Sequence, residues 1–150
     1  MEVKVDFSTV AQCHSSDLWE IFQDVQCWRR LSSVFGDAGW VHGKPWERGS
    51  RFCVELNYPK RIDLEVVVLK CHAPDETVLL CHGSGFAVEL WLYFTPQGDA
   101  EQTLLRAEAA VVGGSELTRE QVAGPVRQLF ESSFDGLKME AEKHCSLVAL

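Results

Sequence analysis

The stretch Phe52-Cys-Val-Glu-Leu-Asn-Tyr-Pro-Lys-Arg-Ile-Asp-Leu-Glu-Val66 carries the fold signal in its most legible form. Phe52, Val54, Leu56 and Tyr58 alternate with Cys53, Glu55 and Asn57; beyond Pro59, Ile62, Leu64 and Val66 alternate with Asp63 and Glu65. Period-two alternation is what a strand shows when one face is dry and the other wet, and the short connection makes the two strands antiparallel neighbours. The pattern extends outward. Phe86, Val88, Leu90, Leu92 and Phe94 form a third apolar row, and Leu105, Ala107, Ala109 and Val111 a fourth against Arg106 and Glu108. Turn residues at Gly43-Lys44-Pro45, Pro59, Pro74-Asp75, Gly83-Ser84-Gly85 and Pro96-Gln97-Gly98-Asp99 divide 39–113 into six strands of one meander.

Helical spacing flanks this meander. Val3, Val5 and Phe7 read as a first strand, after which Ser15 or Ser16 is positioned to cap a helix that carries Leu18, Ile21, Phe22 and Val25 on one face. A second short helix is predicted from Trp28 to Val34, broken by Gly36, Asp37 and Gly39. At the C-terminal end, Thr118 and Gln121 have capping-box spacing, and Leu117 and Val122 occupy staple positions. Gly124-Pro125 is expected to bend or restart the helix. Val126, Leu129, Phe130, Phe134, Leu137 and Ala141 then form a stripe that needs a sheet to lie on. The expected architecture is α+β, an antiparallel sheet of about seven strands curved around a long C-terminal helix, in a single domain over residues 1–150. At that length a core forms without staples.

Composition narrows the function. A formal net charge of −8 opposes nonspecific binding to nucleic acid. No run approaches the roughly 18 apolar residues of a membrane span, and Met1 to Phe7 lacks the pattern of a leader, so stable membrane insertion is not expected and a cytoplasmic address is. The six cysteines read as reduced thiols. Cys71-His72 and Cys81-His82 repeat a Cys-His pair, but neighbours on a strand point to opposite faces and no metal-ligand spacing is present, so no metal or cofactor is expected.

The order strand, two short helices, meander, long helix resembles the helix-grip fold of the START and pollen-allergen-like superfamily, SRPBCC. Leu18-Trp19, Asp24 with Trp28, Gly49-x-x-Phe52, the Phe94-Thr95-Pro96-x-Gly98-Asp99 hairpin and Leu137-Lys138 with Glu140 and Glu142 resemble landmarks of its polyketide cyclase/dehydrase-like group. The chain departs from that group at Cys81, where many members carry tryptophan, and at Ala100-Glu101-Gln102, which replaces a glycine before Thr103. The resemblance implies an apolar small-molecule ligand, such as a lipid or polyketide, held between sheet and helix. Its expected lining is Phe52, Val54, Leu56, Leu64, Val66, Val88, Leu90, Leu92, Leu105, Ala107, Val126, Leu129, Phe130 and Leu137, for which ordinary core packing is the competing use.

Two other functions stay open in the sequence. A cyclase or dehydratase needs a placed acid or base, and the candidates are scattered: His42, two residues from Trp40, and His82, beside the Gly83-Ser84-Gly85 turn, neither with an orienting partner in the sequence. Glu55, Asn57, Glu89, Arg106 and Glu108 fall on the wet face and would move inside only if the register slipped by one residue. A protein-partner domain, as in the heat-shock activator branch of the same superfamily, needs an exposed apolar patch, for which Trp40, Trp46 and Trp91 are candidates.

Overall fold

The computed structural model describes residues 4–58, 60–83, 85–98, 101–113 and 119–148. Strand β1 (Lys4–Ala11) is followed by helix α1 (Ser15–Phe22), a 3₁₀ turn (Val25–Cys27) and the single helical turn α2 (Trp28–Leu31). Six strands follow: β2 (Phe35–His42), β3 (Arg51–Leu56), β4 (Ile62–His72), β5 (Glu76–Gly83), β6 (Phe86–Gln97) and β7 (Gln102–Gly113). Helix α3 (Arg119–Val148) is the last element described. The sheet order is β1-β7-β6-β5-β4-β3-β2, with every neighbouring pair antiparallel, so the meander runs from β2 to β7 and β1 returns to its far edge.

Register places the apolar rows on one concave face. Phe52 lies opposite Val66, Val66 opposite Cys81, and Cys81 opposite Val88, so one inward layer crosses four strands. The outer face is wet and laced with exposed pairs such as Arg51–Glu65 and Arg61–Glu55. Gly49 adopts φ +88°, a conformation that favours glycine, and its N–H bonds the Val68 carbonyl at 2.8 Å, steering the chain into β3.

Helix α3 packs on β1, α1 and α2 and against β7. Phe134, Leu137 and Ala141 are buried there, with Phe134 5.7 Å from the Phe7 ring. At Gly136 the helix meets α2 so closely that any Cβ would overlap the Leu31 carbonyl.

Several local expectations change. His14, not Ser15 or Ser16, precedes α1 as its cap residue, and no side chain caps the helix; the backbone N–H groups of Asp17 and Leu18 bond the His14 carbonyl instead. Helix α2 ends at Leu31 rather than Val34, because β2 starts at Phe35 and incorporates Gly36, Asp37 and Gly39 as strand residues. Edge position and a register shift between Phe35 and Ala38 accommodate these poor strand formers. Helix α3 runs through Pro125 without restarting, and the preceding Gly124 has no Cβ to crowd the proline ring. The Thr118 capping box and the Leu117 staple position lie outside the described residues.

Candidate functional site

Helix α3 packs against β1 and, less extensively, β7, and has no comparable contact with β3 to β6. Between them the interior leaves a partly open cavity of about 250 Å³. Along β3 the wall runs from buried Phe52 through Val54 and Leu56 to half-buried Tyr58 beyond the strand end. Ile62, Leu64 and Val66 return along β4, and Leu79 with Cys81 supplies the β5 wall. Phe86, Val88, Leu90 and Leu92 line it from β6. The helix contributes Gln121, Pro125, Val126, Leu129, Phe130, Ser133, Phe134 and Leu137.

The expected lining therefore falls on this wall except for Leu105 and Ala107. Both belong to the inward row of β7 and are fully buried in the part of that strand paired with β1, so these side chains are packed core, whereas Val111, beyond the end of β1 on the same row, does line the cavity. The row was readable from alternation; the separation of helix and sheet was not.

The closed end is aromatic. Phe22, Trp28, Phe35 and Phe52 reach the cavity; Trp28 meets the Phe52 ring edge-on at 5.4 Å and Phe22 at 5.4 Å. Behind them Trp46 packs against Phe22, Phe52, Trp19 and Trp40 at centroid distances of 5.2–5.8 Å. Trp46 holds φ +67°, a left-handed conformation costly for a bulky residue; this ring packing and an indole bond from Nε1 to the Gln23 carbonyl, 2.8 Å, fix it. Trp40 and Trp46 are thus floor supports rather than a surface patch. Trp91 alone of the three lies on the outer sheet face, opposite Val78 and Glu108.

Polar chemistry on the wall is sparse. No lining side chain among the described residues carries a charge. Burial pushes the Cys81 thiol up to about 12, so it remains protonated and a poor nucleophile near neutral pH. Ser133 turns its hydroxyl back to donate to the Leu129 carbonyl at 2.6 Å. The Trp28 indole N–H donates to the Phe22 carbonyl at 2.8 Å. At the outer end, the Tyr58 hydroxyl donates to Gln128 Oε1 at 2.7 Å and so spans from the β3–β4 connection to α3.

His42 and His82 lie outside the cavity. A register shift between Trp40 and His42 separates two residues that simple alternation places on one face: Trp40 pairs with Phe52 inside, and His42 pairs with Arg51 outside. His82 pairs with Glu65 on the outer face, directly after inward-facing Cys81. Among the described residues, no group of His, Cys, Asp and Glu is arranged to hold a metal ion, and no helix is long and apolar enough to cross a membrane.

Sequence reasoning missed Leu79 as a wall residue because Val78-Leu79-Leu80-Cys81 is continuously apolar and gives no face signal, and it approached Cys81 only through the resemblance, as a smaller side chain where many members carry tryptophan. Phe22 and Trp28 were legible as apolar helix positions, but nothing local shows that their helices close the end of the sheet.

No protein-family model matches the chain, and no curated protein sequence matches it. Solved structures do. A START superfamily protein from Mycobacterium smegmatis superposes with TM-score 0.80 at 13% identity, covering 93% of this chain and 97% of that one. The Zhui aromatase/cyclase from Streptomyces sp. R1128 gives 0.77 at 12% identity, over 97% and 96% of the two chains. Ara h 8.0201 gives 0.75 at 11% identity, over 94% and 98%. At such identities the likeness establishes the helix-grip fold.

Proposed function

We propose that this helix-grip chain binds an apolar small molecule in the space between its sheet and α3. The observation that carries the reading is the uncharged wall around about 250 Å³ of interior. An interior of this kind rewards apolar surface removed from water, at roughly 25 cal/mol per Å², and penalises any buried ion. The fold shared with a START superfamily protein and an aromatase/cyclase supports a ligand-holding role.

Cyclase-like chemistry has less support. Proton transfer requires an acid or base of matched pKa within hydrogen-bond reach of the reacting group. The described wall offers a thiol that stays protonated and a tyrosine at the outer end, while both histidines face elsewhere. The protein-partner reading loses its aromatic patch, because Trp40 and Trp46 are packed within the floor cluster.

The test is uptake of the neutral ten-carbon dye azulene, read by quenching of tryptophan emission, by the wild type and by Cys81→Trp, in which an indole would occupy the middle of the space. The expected result is saturable quenching with the wild type and its loss in a folded variant. Equal uptake by both, with the variant's near-UV circular dichroism intact, would overturn the reading.

A further inference from the structure

The two ends of the cavity are chemically different, and that difference assigns a ligand class and an orientation. At the closed end the Trp28 indole N–H is bound to the Phe22 carbonyl, and behind it the Trp46 indole N–H to the Gln23 carbonyl. Midway, Ser133 is bound back to its own helix and Cys81 is a neutral thiol. At the outer end the Tyr58 hydroxyl lies on the wall and donates to Gln128, which stands beside the wall rather than on it. The Tyr58 oxygen retains acceptor capacity while its proton goes to Gln128, so it can accept a hydrogen bond from a ligand hydroxyl.

Size follows from volume. A cavity of roughly 150 Å³ holds benzene, so by proportion one of about 250 Å³ takes on the order of ten carbons. Charge follows from the wall: no described lining residue supplies a counter-ion, and the chain's net charge of −8 disfavours an anion on approach.

We propose that the occupant is an uncharged amphiphile of about ten carbons with one hydroxyl end, bound tail-first against the Trp28 floor with its polar end at Tyr58, beside the Tyr58–Gln128 bridge. This rests on the binding reading above and adds direction and head-group chemistry to it. It also explains why a tyrosine and a glutamine meet at the end of an otherwise apolar wall.

The position of the tryptophans supplies the test. Trp19, Trp28, Trp40 and Trp46 all belong to the floor cluster, and Trp91 lies on the outer sheet face. Bromine quenches indole fluorescence only at close range, so 10-bromodecan-1-ol, labelled at the tail, and 2-bromodecan-1-ol, labelled beside the head, report direction. At saturation the tail-labelled alcohol is expected to quench at least about threefold more. Tyr58→Phe is expected to weaken 1-decanol by roughly three- to tenfold, the loss of one neutral hydrogen bond, and to leave 1-bromodecane within about twofold. Decanoate at pH 8 is expected to bind at least about tenfold more weakly than 1-decanol.

Equal quenching by the two bromoalcohols, an unchanged decanol affinity in Tyr58→Phe, or equal binding of decanoate and decanol would overturn the proposal while leaving cavity binding intact. If neither decanol nor any bromoalkyl probe binds, the cavity reading fails and the orientation fails with it.

Discussion

Replacing Gly136 by Ala tests how α3 is held. In an ordinary exposed helix position this change stabilises, because glycine costs about 0.8–1.0 kcal/mol relative to alanine. Here the new Cβ would overlap the Leu31 carbonyl oxygen, lie 2.6 Å from its carbon and 3.1 Å from its Cα. Backbone atoms cannot rotate out of the way as a side-chain tip can, so α3 or α2 must shift. Overpacking of this kind costs about 1–3 kcal/mol, occasionally more. It also disturbs Phe134 and Leu137, which flank the contact and are almost fully buried. After the propensity gain is subtracted, a net loss of about 1–2 kcal/mol is expected. Urea unfolding followed by tryptophan fluorescence would measure it, because the floor tryptophans sit beside α2. A variant more stable than the wild type by about 1 kcal/mol, as the helix propensity scale alone requires, would refute the close approach of α3 to α2.

Three further expectations follow from the cavity. Phe130 stacks on Phe134 at 6.0 Å yet has the cavity on one side, so Phe130→Ala should cost about 2–3 kcal/mol by chemical denaturation, below the range of about 3–5 for a fully packed ring. Burial raises the Cys81 thiol from 9.0 to about 12, so the unfolded chain releases this proton first as pH rises. Its stabilising contribution is complete below about pH 9 and is lost between there and about pH 12, at up to about 1.4 kcal/mol per pH unit. Subtracting the pH–stability curve of Cys81→Ala from that of the wild type should isolate the slope, and a flat difference above pH 9 would contradict the burial. Finally, His42→Ala and His82→Ala should take up the neutral dye as the wild type does, within about twofold, since both side chains lie outside the cavity; loss of uptake in either folded variant would place an imidazole where the geometry does not.

The fold was legible because strand alternation and helix periodicity are local quantities. Phe52-Val54-Leu56 and Leu64-Val66 declare their faces without any knowledge of their partners, and the stripe from Val126 to Ala141 declares a surface to cover. The site was legible only in part, since a cavity is a distance between elements. Leu105 and Leu90 have the same sequence signature, but Leu105 lies where β1 pairs with β7, whereas Leu90, like Val111 beyond the end of β1, faces the cavity. Trp40 and His42 show a second limit: a single register shift reverses the relation that alternation implies. Gly136 shows a third. Within the helical pattern it looks like a weak point, and only the carbonyl of Leu31 explains it. The Tyr58–Gln128 bridge joins residues 70 apart in sequence, and neither position signals the other.

A chain-length series of neutral alcohols tests the central claim most directly. Isothermal titration of 1-hexanol through 1-tetradecanol into the protein measures the free energy gained per methylene. Each methylene removed from water should add about 0.8 kcal/mol, or about fourfold in affinity, until the enclosed space is full. An internal cavity of about 250 Å³ therefore predicts a steep rise that ends near ten carbons, followed by a plateau or a fall. A series that never binds, or one that keeps rising evenly through fourteen carbons, would contradict a bounded apolar site between the sheet and α3.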